Sequence, residues 1–538
     1  MRWFAGICCM VWLVPGMTGE VAAQVSEPGL RRLQRATVRI VSGDDLSSGV
    51  LISASGHVLT VAHGLREPPA EITILLHDGS RQAATLVLMD RADDLAVLKI
   101  VPIVGDASTP TFVPLAASLP RAAAGAVVFA CGYPARVRDQ SAGLPRLGTL
   151  RAVDSALLRS SCQLTVGDSG GPLLNMAGQL IGVHRQIGMG RDANVHVSVT
   201  RIRQRLQANP ALRQLAESAS STSLLSEMPQ ELSAAQRGAL ANRTVGVAAQ
   251  GTQSERLTEW RPGIRLAARR VVAKRSELPP ECPLACRLSS GLVIPCRVLL
   301  VDVALDVVVL ELEPEADSAI PAVDALPVAI VRPGELVFAV LGQTADGGIR
   351  LSDPGIAGRV GYREPGLPLK LGAVIDEMAG VAGTVLRVRE ISPNGPAAVA
   401  GLAAGDRLIA VEGRSLATLN DLAEILAERQ PGDQLQLQVD RAGQSVSLSL
   451  IAGHDPGAQF EKLEYLDGRA GAVSGRRSGF VGVIQHDIPV TPAECGGWLI
   501  NSRGELLGMT IARRSREATL AIPIQTLLDL IEGGRSSI

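Results

Sequence analysis

Short β-branched runs, broken at close intervals by glycine, constrain this chain more than any other feature. From Ala36 onward the segments TVRIVSG, SSGVLISASGHVLTVAH, EITILLHDGS, AATLVLMD, DLAVLKI and AVVFACGYP follow one another. They read as strands at short spacing, joined by hairpin turns such as His77-Asp78-Gly79-Ser80. No strand–helix–strand alternation interrupts them, so an antiparallel barrel or sandwich is predicted and a parallel sheet is not. Aromatic residues are only 2% of the chain. The cores must therefore be filled by Val, Leu, Ile and Ala. A length of 538 residues predicts about three domains.

Lysine and arginine number 52 against 53 aspartate and glutamate, a net charge of −1. That balance argues against nucleic acid or an anionic membrane surface as partner. Residues 1–23 read as an export signal. Arg2 precedes an apolar stretch from Trp3 to Met17, too short for a comfortable bilayer span, and Val21-Ala22-Ala23 has the small-residue pattern of a cleavage site. The expectation is an exported chain, periplasmic or extracellular, maturing near Gln24; an uncleaved anchor is the alternative. Cys8 and Cys9 leave with the signal. Cys131, Cys162, Cys282, Cys286, Cys296 and Cys495 remain. A local bridge is expected among Cys282, Cys286 and Cys296, which flank the turn Leu288-Ser289-Ser290-Gly291. No histidine falls between residues 197 and 453, which disfavours zinc there. No metal and no organic cofactor is expected.

Three fragments carry chemistry. Thr60-Val61-Ala62-His63 closes a strand, and Asp94-Leu95-Ala96-Val97-Leu98-Lys99 opens one. Gly167-Asp168-Ser169-Gly170-Gly171-Pro172-Leu173 is a glycine-rich turn around a serine. A serine hydroxyl is a poor nucleophile at neutral pH without an adjacent base. His63 can be that base, with Asp94 fixing its tautomer and stabilising the imidazolium. The N–H groups of Gly167 and Ser169 can converge on an oxyanion. Each fragment alone is ordinary, since a lone histidine beside a strand is usually structural. Their order, His then Asp then Ser, on one β-rich chain gives them force.

These residues, with Ser48-Gly49-Val50-Leu51-Ile52 ahead of His63, resemble the trypsin-like superfamily and specifically HtrA-type serine proteases, over about residues 36–205. The resemblance implies two six-stranded β-barrels with catalytic His63, Asp94 and Ser169 in the cleft between them. One position departs. HtrA-type proteins usually carry Asn before the serine, whereas this chain has Asp168, as digestive trypsin-like enzymes do. There the aspartate pairs with a freed N-terminus, but no Ile/Val-Gly-Gly sequence precedes this domain. Asp168 is instead expected to bond local backbone or a basic neighbour such as Arg185. Gln163 stands where trypsin-like enzymes place the floor of the specificity pocket. Being uncharged, it points to uncharged side chains at the cleavage position. Val183, His184 and Arg185 are expected to pair with an extended substrate as an added strand.

The chain also repeats itself. Leu76 to Asp90 and Asp94 to Leu98 align without a gap on Leu288 to Asp302 and Asp306 to Leu310. The second copy keeps the aspartate, and either Lys274 or Arg275 falls at the histidine position. Its serine end lies near the C-terminus, where Cys495-Gly496-Gly497-Trp498 puts Cys495 at the serine position. The second copy is expected to be catalytically dead. Between its halves, residues 366–452 resemble a PDZ domain. Leu371, Gly372 and Ala373 fall in the carboxylate-binding loop, Pro396 to Leu402 and Gly405-Asp406-Arg407-Leu408 carry the strongest signature, and an amphipathic helix spans Leu419 to Glu428. Such a loop and helix bind a peptide C-terminus as an added strand.

The expected fold is thus mainly β: a trypsin-like double β-barrel over 30–210, a helix and Ser-rich linker over 211–243, and a degenerate trypsin-like double barrel in two parts, 244–362 and 455–538, around the PDZ domain. The leading functional reading is an exported serine endopeptidase acting on unfolded or damaged polypeptides. The alternative is a non-catalytic, chaperone-like or peptide-sensing pseudoprotease. A homo-oligomer is compatible with either.

Overall fold

The computed structural model describes residues 27–65, 71–101, 110–119, 124–135, 142–188, 194–217, 232–249, 259–279, 282–313, 327–364, 369–380, 383–427, 429, 431–454, 467–468 and 471–533. The signal segment, the Ser-rich stretch 218–226, and the expected starts of the PDZ domain and of the second part at 455 lie outside the described residues.

A helix at Glu27–Ala36 buries Leu30, Leu33 and Ala36 and leads into a closed barrel. Its strands are Thr37–Ser42, Asp45–Leu51, His57–Thr60, Ile72–Leu75, Arg81–Asp90 and Leu95–Ile100. Around the barrel the sixth strand lies between the third and the fifth. A second closed barrel repeats that order with Val127–Gly132, Leu144–Val153, Leu157–Ser160, Pro172–Leu174, Leu180–Gln186 and Asn194–Ser198. Its last strand runs into a helix at Val199–Ala208, capped by the Ser198 hydroxyl, which accepts from the Arg201 amide at 3.2 Å. The interiors are Val, Leu, Ile and Ala, and one apolar cluster runs through both barrels.

The same order appears twice more. A third closed barrel uses Thr244–Ala249, Arg261–Arg265, Arg270–Lys274, Leu284–Arg287, Val293–Asp302 and Val307–Leu312. The fourth draws Leu336–Gln343 and Gly355–Tyr362 from before the PDZ domain and Val483–His486, Trp498–Asn501, Leu506–Arg513 and Thr519–Pro523 from after it. Pairing of Val337 with Asn501 closes these six into a ring. Ile349–Leu351 adds to it at one edge. Chain segments about 120 residues apart in sequence thus share one ladder, such as Ala357 with His486. This is possible because the intervening domain enters and leaves at one point: Leu369–Lys370 pairs with Gly453–His454.

The intervening domain has a sheet ordered Ala373–Gly380, Gly383–Ile391, Arg407–Val411, Gln434–Arg441 and Gln444–Ile451, with helices at Pro396–Val399 and Leu419–Ala427. The protein is mainly β, and the described residues hold no helix long and apolar enough to cross a membrane.

Candidate active site

His63 lies in the short 3₁₀ turn Ala62–Gly64 at the end of a strand of the first barrel. Its backbone N–H donates to Asp94 Oδ1 at 3.0 Å, and its Nδ1 is 2.8 Å from Asp94 Oδ2. One carboxylate therefore fixes both the turn and the ring. Asp94 itself occupies the left-handed region at φ 54°, a conformation that short polar side chains tolerate best. Burial pushes the Asp94 carboxyl up, but the His63 bonds, with Arg185 adding to them, outweigh it and hold it below the usual aspartate range. The His63 side chain is 50% exposed, so with Nδ1 turned to Asp94 the Nε2 edge is open to a ligand.

Ser169 arrives from the second barrel. Its carbonyl accepts from the Ser48 amide at 2.8 Å, which ties the two barrels together beside the site. Its hydroxyl is not hydrogen-bonded to His63 in this structure; such bonds are often long until substrate binds.

The preceding turn is held through its carbonyls. The Val166 carbonyl accepts from Ala135 N at 2.8 Å and the Asp168 carbonyl from Gly171 N at 2.9 Å. In a trans peptide the N–H points opposite its carbonyl. Fixing those two carbonyls therefore turns the Gly167 and Ser169 amides the other way, and neither donates a hydrogen bond among the described residues. Gly167 sits at φ 98°, and a Cβ there would stand 2.4 Å from Tyr133 O. At Gly170, φ 88°, it would stand 2.0 Å from Ser48 O. Both positions require glycine. The Ser48 hydroxyl donates to Gly167 O at 2.7 Å and accepts from Tyr133 N at 2.9 Å.

Several expectations change. Asp168 does bond local backbone, accepting from Thr165 N at 2.8 Å, but its cation is Arg146, 2.9 Å away with both side chains fully buried. Arg185 lies instead 3.6 Å from Asp94 Oδ2. His184 is not a substrate contact through its side chain. It is buried against His196, with Nδ1 atoms 3.0 Å apart, and burial pushes it well below the usual histidine range. Val183 is buried and paired on both sides, with Pro172 and with Val197, and His184 is paired with His196 and bonded to Gly171. No free edge exists along these two residues; only Arg185, at a bulge in the ladder, escapes the pairing. Gln163 is buried, and its Nε2 donates to Ser161 O at 2.9 Å. Sequence reasoning missed Arg146. Its only signal was a lone charge in the apolar run Leu144-Pro145-Arg146-Leu147.

Ala273 pairs with Val308 as Thr60 pairs with Ala96, each partner two residues past its aspartate. Ser276 N donates to Asp306 Oδ1 at 3.0 Å, as His63 N does to Asp94. The residue at the histidine position is therefore Ser276, not Lys274 or Arg275, because the second copy has one residue fewer between this position and its aspartate. The Ser276 hydroxyl donates to Asp306 Oδ2 at 2.7 Å. Lys274 Nζ also reaches that oxygen, at 2.9 Å, and both side chains are buried. Cys495 does take the serine position: Gly496 N donates to Thr510 O at 2.7 Å as Gly170 N does to His184 O at 2.8 Å. The turn before it differs. Pro492 and Ala493 replace Val166 and Gly167, Pro492–Glu494 winds into a 3₁₀ turn, and the Cys495 amide is closed onto Pro492 O at 3.1 Å. The thiol is fully buried, and burial pushes it up to about 11. His486, on the strand feeding this turn, is buried and pushed by burial down to about 3.

In the intervening domain Leu371 O accepts from Ala397 N at 2.8 Å and Gly372 O from Ser392 N at 2.9 Å. The amides of Gly372, at φ 76°, and Ala373 therefore turn outward. Ala373–Gly380 is the terminal strand of its sheet among the described residues. The helix Leu419–Ala427 is tied to it by Glu377, whose carboxylate accepts from Leu419 N at 2.9 Å. Cys286 and Cys296 are buried thiols with Sγ atoms 3.6 Å apart, while Cys282 is exposed.

Residues 47–183 match the family described as trypsin-like peptidase domain, and residues 370–451 match the PDZ domain. The chain is similar to the serine endoprotease DegS of Haemophilus influenzae, 33% identical over 157 residues, covering 28% of this chain and 44% of that one. It is also similar to a probable periplasmic serine endoprotease DegP-like of Halomonas elongata, 33% over 150 residues, covering 26% and 29%. A third relative is the mitochondrial serine protease HTRA2 of Drosophila erecta, 32% over 153 residues, covering 26% and 33%. The chain spans less than half the length of these curated relatives. It carries a trypsin-like peptidase domain, followed by a PDZ domain.

Proposed function

We propose that the chain is an exported serine endopeptidase in which Ser169 is the nucleophile, His63 the general base and Asp94 the residue that orients it. In this reading Ser169 Oγ attacks the scissile carbonyl while His63 Nε2 takes its proton. Asp94, already bonded to Nδ1, stabilises the imidazolium without itself being protonated. The carbonyl oxygen becomes an oxyanion received by the unused amides of Gly167 and Ser169. His63 then protonates the leaving amine, and water releases the acyl group by the same steps reversed.

The observation that carries this reading is the contrast between the two copies. One keeps an imidazole on its aspartate and two amides with no partner among the described residues. The other has replaced the imidazole by Ser276 and Lys274 and closed its amide onto Pro492. The second unit is accordingly a pseudoprotease. Extended or unfolded polypeptide is the substrate class. The outward amides of Gly372 and Ala373, beside a free strand edge, favour peptide C-termini at the PDZ domain. Export rests on the N-terminal signal pattern together with similarity to proteins named periplasmic.

A fluorophosphonate probe on the full chain tests the assignment. Wild type should be labelled at Ser169 and should cleave casein. Ser169→Ala should abolish both, and His63→Ala should lower cleavage by on the order of 10⁴-fold or more, since the residues act as a unit. A folded wild type that neither labels nor cleaves would instead support the peptide-sensing reading.

A further inference from the structure

Among its contacts with the first unit, the second unit meets it at residues that adjoin Arg146 and Gln163. Asp487 spans the junction: one carboxylate oxygen accepts from Leu147 N at 2.6 Å and the other from Ile356 N at 2.7 Å. Leu147 follows Arg146, the buried partner of Asp168, and Asp168 precedes Ser169. Arg146 lines a crevice between the units together with Asp487 and Glu517, both buried. Elsewhere Arg516 of the fourth barrel, itself buried, donates to Gly188 O at 3.0 Å and to Asn194 Oδ1 at 3.0 Å. Asn194 Nδ2 in turn donates to Cys162 O at 2.6 Å, next to Gln163.

We propose that the degenerate unit is the back wall of the working site: it fixes Arg146, and Arg146 in turn fixes Asp168 and the open turn Gly167–Ser169. The inference rests on the catalytic reading above. Its physical basis is that Asp168 is fully buried and carries a charge that needs a partner. A Cβ on Gly132 would stand 2.4 Å from Asp168 Oδ1, so the carboxylate fills the space that glycine leaves. With Arg146 opposite, that position also orients the Asp168 backbone, whose carbonyl is held by Gly171 N. Burial pushes the Arg146 guanidinium toward its neutral form, and Asp168 and then Glu517 more than offset this and keep it charged. Burial pushes the Asp168 carboxyl up even with Arg146 beside it, and Arg146 is the largest influence opposing that push; without Arg146 the residue gains by swinging toward solvent, carrying the Gly167 and Ser169 amides with it. Arg146 and Asp487 are thus positioning residues, and the cation that in other trypsin-like enzymes comes from a freed N-terminus is here internal.

The test uses the full chain and two readouts: the fluorophosphonate labelling rate, and amide hydrogen exchange over residues 163–170 against 57–65. Arg146→Met should slow labelling at least about tenfold and raise exchange over 163–170 alone. Adding Asp168→Asn removes the charge that needed a partner, so Arg146→Met/Asp168→Asn should recover labelling to within about threefold of wild type. Asp487→Ala, which alters only the second unit, should slow labelling by roughly three- to tenfold. The proposal fails if Arg146→Met and Asp487→Ala both label as wild type does, or if the double variant is no faster than Arg146→Met. If wild type itself is not labelled, the catalytic reading is lost. Exchange still decides this one, since an unchanged 163–170 profile in Arg146→Met overturns it.

Discussion

Replacing Gly167 by alanine tests the oxyanion turn most directly. At φ 98° a residue with a Cβ sits in a sparsely populated region that costs about 1–3 kcal/mol. The added Cβ would stand 2.4 Å from Tyr133 O and 2.7 Å from Ala135 N, both backbone atoms. The turn must therefore move, and the Ala135–Val166 hydrogen bond is lost with it, about 1 kcal/mol more. The chain shows where such a turn goes. Ala493 holds the same place in the second unit, and there the segment winds into a 3₁₀ turn with the following amide bonded inward. A turn of that kind at 166–168 withdraws the Ser169 amide from the site. Loss of one oxyanion donor costs on the order of 100- to 1000-fold in kcat, about 2.7–4 kcal/mol. Gly167→Ala should therefore lose that factor in kcat/KM on a fluorogenic peptide. Its Tm should fall by roughly 5–15 °C, from about 2–4 kcal/mol of strain and lost bonding. A variant that folds, melts lower and still turns over within about threefold of wild type would refute the oxyanion assignment, because strain alone would then account for every effect.

Rebuilding the second site should fail. In a Ser169→Ala background, Ser276→His with Cys495→Ser restores an imidazole and a hydroxyl but leaves the amide of residue 495 bonded to Pro492 O. No fluorophosphonate labelling is expected, and labelling at position 495 would show that the closed turn is not what silences this unit. Peptides with a hydrophobic C-terminus should bind the PDZ domain of the full chain about tenfold tighter than their amidated forms, ~1.4 kcal/mol for one charge-assisted contact at the Gly372–Ala373 amides. Equal affinities by calorimetry would remove the carboxylate role. Acid should loosen the same domain first through Asp406. Its bonds from Arg441, at 2.8 and 2.7 Å, hold its carboxyl below the usual 3.8. A depressed folded pKa contributes stability that is present above 3.8 and lost as pH falls through the lower folded value. Hydrogen exchange over residues 383–411 should rise below about pH 4, and Arg441→Met should flatten that dependence; an identical pH profile in the variant would show that the pair is not responsible.

The residue types of the candidate triad and the class of fold are legible in the amino-acid order, because both are local. Glycine positions set where a short strand can turn, β-branched runs leave no room for long helices, and the Gly167–Leu173 turn needs its glycines in any barrel that would hold it. The contact between Asp94 and His63 was readable from residue type and order, since a base, an acid and a glycine-flanked hydroxyl have few other uses together. The tertiary structure decided what depends on chain segments far apart. That Ser276, not Lys274 or Arg275, faces Asp306 turns on a segment one residue shorter before the aspartate, and alignment by resemblance does not see ladder register. That His184 is a core residue follows from strands pairing on both of its sides. The choice of Arg146 over Arg185 as partner of Asp168 is the clearest case. Arg185 is nearer in sequence, but a buried carboxylate is paired by whichever cation the fold brings into the same low-dielectric space. That cation comes from another strand, which is held from behind by a unit some 340 residues further along the chain.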